Sequence, residues 1–204
     1  MKDSKSHWES VYNSKSDQEV SWYEEVPETS LRLIKGVNPS KNDEIIDIGG
    51  GNSNLAMELS KDGFSNLSVL DISGKALERT KAKVGGKSED INWIVSNVVE
   101  FTPNNQFSIW HDRAVFHFLN QEEDIQKYVE LVTSSIADSG VLMLGTFSPE
   151  GPSKCSGLDI KQYSAKELEM LFQKGFKMEQ SFQEVHKTPF DTEQSFTYVV
   201  LRKR

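Results

Sequence analysis

One cysteine, Cys155, stands in the whole chain. That excludes an internal disulfide framework and an all-cysteine metal site, and it fits a reducing compartment, so a cytoplasmic protein is expected. No apolar run approaches the roughly 20 residues needed to span a bilayer. The opening Met1-Lys2-Asp3-Ser4-Lys5 is polar and has no hydrophobic segment of a secretory signal. Positive charge is scarce: 23 Lys and Arg face 31 Asp and Glu, a formal net charge of −8. Such a balance argues against a nucleic-acid footprint, which needs a basic face. Internal repeats, low-complexity tracts and linkers are absent too. What remains is a chain of 204 residues with ordinary apolar content, enough for one domain with a sizeable core. We read residues 1–204 as that domain, with 1–40 an N-terminal cap and 41–204 the core.

The richest stretch is Glu44-Ile45-Ile46-Asp47-Ile48-Gly49-Gly50-Gly51-Asn52-Ser53-Asn54-Leu55. A short apolar run predicts a buried parallel strand, ended by a glycine turn. Leu55, Ala56 and Leu59 then have helical spacing. Glycines let the backbone turn tightly and let a ligand approach it. Free N–H groups of a new helix's first turn are expected to receive an acceptor group. The stretch therefore reads as a cradle for a nucleoside-containing cofactor. A dinucleotide fingerprint wants Gly at its first, third and sixth positions. Gly49 and Gly51 fill two of them; the sixth is Asn54. Asp47, before the turn, is placed to meet a cationic amino group.

This Asp-x-Gly-x-Gly-x-Ser stretch resembles motif I of the class I S-adenosylmethionine-dependent methyltransferases, although that family more often has Gly where Ser53 stands. The second strand, Leu67 to Leu70, ends in Asp71, which lies 20 positions after Gly51. A carboxylate at that spacing accepts from ribose hydroxyls. The run Asp71-Ile72-Ser73-Gly74-Lys75-Ala76-Leu77 also resembles the family and starts a helix with Ser73 as N-cap. A third strand, Ile91 to Val95, leads to Asn97 and Val98. The family commonly has Asp at position 97, accepting from the adenine amino group; Asn97 also offers an oxygen, or else makes a local turn. Val98 or Trp93 flanks the adenine.

The N-terminal segment is dense in aromatics: His7, Trp8, Tyr12, Trp22 and Tyr23. They either cap the core or close over the cofactor, where an aromatic face attracts a sulfonium. A short helix around 6–13 and another from Glu28 to Lys35 are expected. Trp22 joins Asp47, Gly49, Gly50, Gly51, Ser53, Asp71, Ile72, Asn97 and Val98 as candidate cofactor contacts. No metal ligand is expected.

The fourth strand, Phe107 to Trp110, runs into His111-Asp112-Arg113-Ala114-Val115-Phe116-His117. That polarity beyond a central strand marks the ligand edge of an open α/β sheet. Asp112 and Arg113 form an ion pair, or Asp112 and His117 serve catalysis. Glu122 to Ser135 has the period of an amphipathic helix. A fifth strand follows from Gly140 to Phe147, then a long loop, 148–162, in which Cys155 reads as a buried thiol rather than a nucleophile. Ser164-Ala165-Lys166-Glu167 is a capping box. Phe176 to His186 and Phe196 to Leu201 form a closing hairpin; the resemblance implies that its last strand inserts antiparallel beside the fifth, which would put His186 and Thr188 at the ligand edge.

Strands alternating with helices predict a doubly wound, mostly parallel α/β sheet with helices on both faces. The resemblance implies seven strands in the order 3-2-1-4-5-7-6, the last antiparallel. It also implies S-adenosylmethionine as cofactor, S-adenosylhomocysteine as product, and methyl transfer as activity. A small-molecule acceptor is expected, a protein lysine being the alternative. Outside methyl transfer stand a NAD-dependent oxidoreductase and a non-catalytic S-adenosylmethionine-binding protein. His117, Asp112 and His186 are the catalytic candidates, His117 as a base near neutral pH. No nucleic-acid or membrane partner is expected, and the protein is a monomer or homodimer.

Overall fold

A computed structural model describes residues 2–204. Met1, which opens the polar N-terminus, lies outside them, as do the side chains of Lys2 and Asp3. The chain packs as two compact units: residues 1–101 with 188–190, and residues 102–187 with 191–204.

The first unit contains helices α1 (Lys2–Ser14) and α2 (Glu28–Gly36), then strand β1 (Ile45–Ile48), helix α3 (Leu55–Lys61), strand β2 (Leu67–Asp71), helix α4 (Gly74–Val84) and strand β3 (Ile91–Val95). β2 lies between β1 and β3, parallel to both. Every residue of β1 and β2 is buried, which is why both are mostly apolar, with Asp47 in β1 and Ser68 and Asp71 in β2 as their polar members. β3 is only partly buried, as befits an edge. α1 is longer than the expected 6–13, and α4 opens on the expected cap: Ser73 Oγ accepts from Ala76 N at 3.2 Å. α3 has only seven residues, and its first N–H, on Leu55, donates to Ser53 Oγ at 3.0 Å. So the first of the expected free N–H groups is already taken, and a 3-10 turn over Gly50–Asn52 precedes the helix.

The second unit contains β4 (Phe107–Arg113), α5 (Glu122–Ser135), β5 (Ile136–Phe147), a two-stranded ribbon of β6 (Lys154–Cys155) and β7 (Leu158–Asp159), helix α6 (Ala165–Phe172), and the hairpin β8 (Phe176–Lys187) and β9 (Glu193–Lys203). β4 pairs parallel with β5, and β9 runs antiparallel to both β5 and β8. α5 buries Ile125, Tyr128 and Val132 on one face, and three acids fill its first turn, where the helix dipole favours them. α6 starts at the expected capping box: Ser164 N donates to the Glu167 carboxylate at 2.8 Å, and Glu167 N to Ser164 Oγ at 3.3 Å.

Two boundaries differ from expectation. β4 continues through His111, Asp112 and Arg113, because Asp112 finds partners inside the fold. β5 begins at Ile136, directly after α5: between Phe107↔Ile136 and Ile109↔Val141 the register shifts, and Ser139 takes a φ of 62° in the bulge. The loop 148–162 also carries structure. Its ribbon turns at Ser156 and Gly157, both at positive φ (50° and 81°), the signature of a tight primed hairpin turn. The sheet order is β3-β2-β1-β4-β5-β9-β8. Leaving the ribbon out of the count, that is the expected order 3-2-1-4-5-7-6. No helix among the described residues is long and apolar enough to cross a membrane.

Candidate active site

All the candidate cofactor contacts lie in the first unit. Gly49 bends the chain out of β1 in the left-handed region, φ 69°, and its N–H donates to Leu70 O at 2.7 Å. The next two glycines are set by crowding. A Cβ on Gly50 would collide with the Asp47 carboxylate, and one on Gly51 would lie 2.5 Å from Asp71 Oδ2. The turn is thus wrapped onto two carboxylates. Asp71 accepts from Gly51 N at 3.0 Å and from Ser73 N at 2.7 Å, one on each oxygen. A carboxylate has about four lone-pair positions, so both oxygens retain capacity for hydroxyl donors. Burial pushes the Asp71 acid up to about 6, and the charges of Asp47 and Glu9 add to the rise against the two N–H bonds. Three carboxylates therefore share this corner of the unit. The natural complement is a ligand with hydroxyl donors and positive charge.

The remaining contacts are more local. Ser53 half-caps α3, as above. Ile72, half-buried, follows Asp71. Ser96 N donates to Asp71 O at 3.0 Å, which brings the 96–98 segment beside β2. Asn97 Oδ1 accepts from Val99 N at 3.3 Å, capping a 3-10 turn, so it makes the local turn that the sequence left as an alternative. Val98 is buried; the Trp93 indole N–H donates to Ser88 O at 2.8 Å. Trp22 packs edge-on against Trp8 at 5.6 Å and Tyr12 at 6.2 Å.

Three tethers escaped the sequence reading. Gly74 N donates to Glu9 Oε1 at 2.9 Å, tying α1 to the start of α4. Lys83 Nζ bridges Asp17 at 2.6 Å and Asn52 Oδ1 at 3.1 Å. Asn54 Nδ2 donates to Glu25 O at 2.9 Å and Glu24 O at 3.1 Å. The residue that breaks the dinucleotide fingerprint is the one that fastens the N-terminal segment to the glycine turn. Only its departure from Gly signalled it.

The catalytic candidates all lie in the second unit. Asp112 is fully buried and satisfied: it accepts from Tyr128 Oη at 2.6 Å, Val115 N at 3.0 Å and Phe116 N at 3.2 Å, while Trp110 Nε1 donates to Tyr128 Oη at 3.1 Å. Burial still raises it to about 6. It organises the turn after β4, where Ala114 takes a φ of 71°. Arg113, its neighbour in the strand, points to the opposite face. There its Nε donates to Tyr198 Oη at 3.1 Å, so the envisaged Asp112–Arg113 pair gives way to separate partners. His117 is fully buried, its Nδ1 accepting from Phe147 N at 3.3 Å. Burial first, then the charge of Arg113, push it down to about 3, so it does not titrate near neutrality as expected of a base. His186 is half-buried on β8, edge-on to Phe196 at 6.3 Å. Thr188 belongs to the first unit. Burial pushes the Cys155 thiol up to about 11, which keeps it protonated and inert as a nucleophile.

With this geometry in hand, comparison with known proteins is informative. Residues 45–140 match the model of a methyltransferase domain family. A SAM-dependent methyltransferase structure from Anabaena variabilis superposes with a TM-score of 0.75 at 16% identity, over 98% of this chain and 95% of that one. Just under half of the chain thus matches a methyltransferase domain, and its fold is that of a SAM-dependent methyltransferase. The cofactor of such a domain is S-adenosylmethionine, and the first unit has a feature that suits it: buried carboxylates around a turn with no room for side chains. Among curated relatives, EEF1A lysine methyltransferase 2 of Danio rerio is 28% identical over 155 residues, 69% of this chain and 66% of its own length. Malonyl-[acyl-carrier protein] O-methyltransferase 2 of Ilyobacter polytropus is 25% identical over 107 residues, 52% of this chain and 40% of its own. The chain thus matches less than two thirds of the length of either relative.

Proposed function

We propose that this protein transfers the methyl group of S-adenosylmethionine to a small-molecule acceptor. The observation that carries the first half is the convergence of Asp47, Asp71 and Glu9 on the glycine turn, with Gly50 and Gly51 packed against the first two. In this reading Asp71 holds the ribose hydroxyls and Asp47 the amino group. Gly49 to Gly51, Ser53 and Ile72 shape the backbone around the amino-acid part. Asn97 and Val98 take the adenine end. Trp22 and its aromatic neighbours cover the site, held there by Asn54 and Glu9.

A sulfonium methyl is already activated, so the cofactor supplies the electrophile. The chain's contribution is to align and to exclude water. That division suits a protein whose buried Asp112 is fully bonded and whose His117 is held neutral. A small acceptor is favoured by the likeness in fold to a Burkholderia thailandensis methyltransferase structure that holds 1,6-didemethyltoxoflavin and S-adenosylhomocysteine. The reading against it is a protein lysine acceptor, favoured by the similarity to EEF1A lysine methyltransferase 2.

The test is incubation of the purified protein with methyl-labelled S-adenosylmethionine and a cell extract separated by size. Label in the low-mass fraction supports the proposal. Label confined to protein assigns the lysine reading, and binding with no transfer to any fraction leaves a non-catalytic binder.

A further inference from the structure

Helix α4 turns one buried face to the glycine turn. Ser73, Ala76 and Thr80 follow each other at helical spacing, so they share a side of the helix, and all three are fully buried. Ser73 N donates to Asp71 Oδ1 at 2.7 Å. Ala76 is small where space is shortest: a Cβ on Gly51 would lie 2.7 Å from the Ala76 Cβ. Thr80 supplies a bond, its Oγ1 donating to Gly51 O at 2.5 Å. A threonine inside a helix commonly turns its hydroxyl back to the carbonyl one turn earlier, as Thr133 of α5 does with Val129 O at 2.6 Å. Thr80 spends its single proton outside the helix instead. Valine would fill the same space with no hydroxyl to desolvate, so packing alone gives no reason for a threonine there.

The bond falls on the residue that holds Asp71. Gly51 is fastened at both ends: its N–H donates to Asp71 Oδ2 at 3.0 Å, and its carbonyl accepts from Thr80. Glycine is the residue with most backbone freedom to lose, so two such bonds restrain it more than any other. Each oxygen of Asp71 is then set by a backbone N–H, that of Ser73 at the start of α4 and that of Gly51, which α4 pins through Thr80. A carboxylate oriented before its ligand arrives loses little freedom on binding.

We propose that Thr80 is a positioning residue for the cofactor: by holding the Gly51 carbonyl it keeps the glycine turn on Asp71 and fixes the carboxylate that takes the ribose hydroxyls. This rests on the reading of that turn as the S-adenosylmethionine site. Thr80 acts through Gly51 and Asp71 and not on the ligand itself.

The experiment is calorimetry of the full chain with S-adenosylhomocysteine. Thr80→Val removes one hydrogen bond at nearly constant volume and should weaken binding about fivefold or more, while Thr80→Ser keeps the hydroxyl and should stay within about threefold. In an Asp71→Ala background the further loss from Thr80→Val should shrink to less than about twofold, because the group it positions is gone. A residue that only stabilised the fold would cost the same factor in both backgrounds. A pH series gives a second reading. The charges that face Asp71, those of Asp47 from β1 and Glu9 from α1, are the same in every Thr80 variant, and the Gly51 N–H bond opposes the rise of that acid. Loosening Gly51 should therefore move the midpoint of the affinity–pH curve upward in Thr80→Val and leave it in place in Thr80→Ser. Should Thr80→Val fail to fold, the wild-type hydroxyl is read directly. By reciprocity a bond that aids binding is strengthened by it, so exchange of the Thr80 hydroxyl proton, followed by nuclear magnetic resonance, should slow on adding S-adenosylhomocysteine. Unchanged affinity in Thr80→Val, an equal loss in Thr80→Ser, an undiminished loss in the Asp71→Ala background, an unmoved midpoint in Thr80→Val, or hydroxyl exchange indifferent to the ligand would each overturn this proposal alone. Failure of the wild type to bind S-adenosylhomocysteine would overturn the cofactor reading and this proposal with it.

Discussion

Lowering the pH should weaken cofactor binding through one residue. Asp71 is held at about 6, above the ordinary carboxylate value of 3.8, because it is buried and sits near Asp47 and Glu9. The folded protein therefore holds a proton that the unfolded chain has already lost between about pH 4 and pH 6. By linkage, Asp71 costs stability as pH rises through that window. A ligand that donates ribose hydroxyls and carries positive charge reverses the preference and draws the acid toward its ionised form. With a value of 6, about a tenth of the protein has the carboxylate at pH 5 and about nine tenths at pH 7, so S-adenosylhomocysteine should bind about tenfold more tightly at pH 7. Calorimetry at both values gives the ratio directly. Repeating the pH 5 titration in buffers of different ionisation enthalpy should count close to one proton released per ligand bound. Asp112 is also held at about 6, so Asp71→Asn is the control: its affinity should be lower and flat across the window. A flat wild-type profile with no proton release would remove Asp71 from the ribose position.

Other outcomes follow from single contacts. Asn54→Ala deletes two hydrogen bonds to the carbonyls of Glu24 and Glu25, worth roughly 1 kcal/mol each. Amide exchange over 20–27 should speed up and cofactor affinity should fall several-fold; unaltered exchange would mean that the tether is idle. Gly145→Ala places a Cβ 2.6 Å from the Tyr198 ring, and overpacking of that kind costs about 1–3 kcal/mol, visible as a lower melting temperature. A variant that melts like the wild type would show that Tyr198 moves aside freely. The Cys155 thiol, buried and pushed up to about 11, should react with iodoacetamide at pH 8 far more slowly than a free thiol. Reaction at the free-thiol rate would contradict its enclosure.

The glycine turn and its carboxylates, the candidate cofactor contacts, were legible as structure because their signals are local. Asp47, the three glycines and Asp71 stand at strand ends that an apolar run announces, and crowding leaves no alternative to Gly at 50 and 51. The fourth strand was read three residues short because His111-Asp112-Arg113 looks like a polar loop. Asp112 is met by Tyr128, 16 positions away on a helix, and Arg113 by Tyr198 on β9, partners that no local pattern reveals. The early start of β5 depends on a bulge, which periodicity does not show. His117 was found by residue type, yet its protonation was misjudged, since burial and the Phe147 amide are products of the fold. Asn54 read only as an exception to a fingerprint and Glu9 drew no reading; their partners are backbone groups, and backbone groups leave no trace in a sequence.

The most direct test of the central claim is a calorimetric titration of the purified protein with S-adenosylhomocysteine and, separately, with NAD. Asp47, Asp71 and the crowded glycine turn call for tight binding of the first and none of the second, and Asp71→Ala should weaken the first by about 1.5–3 kcal/mol for each charge-assisted bond lost. Micromolar NAD binding with no response to S-adenosylhomocysteine would contradict the account.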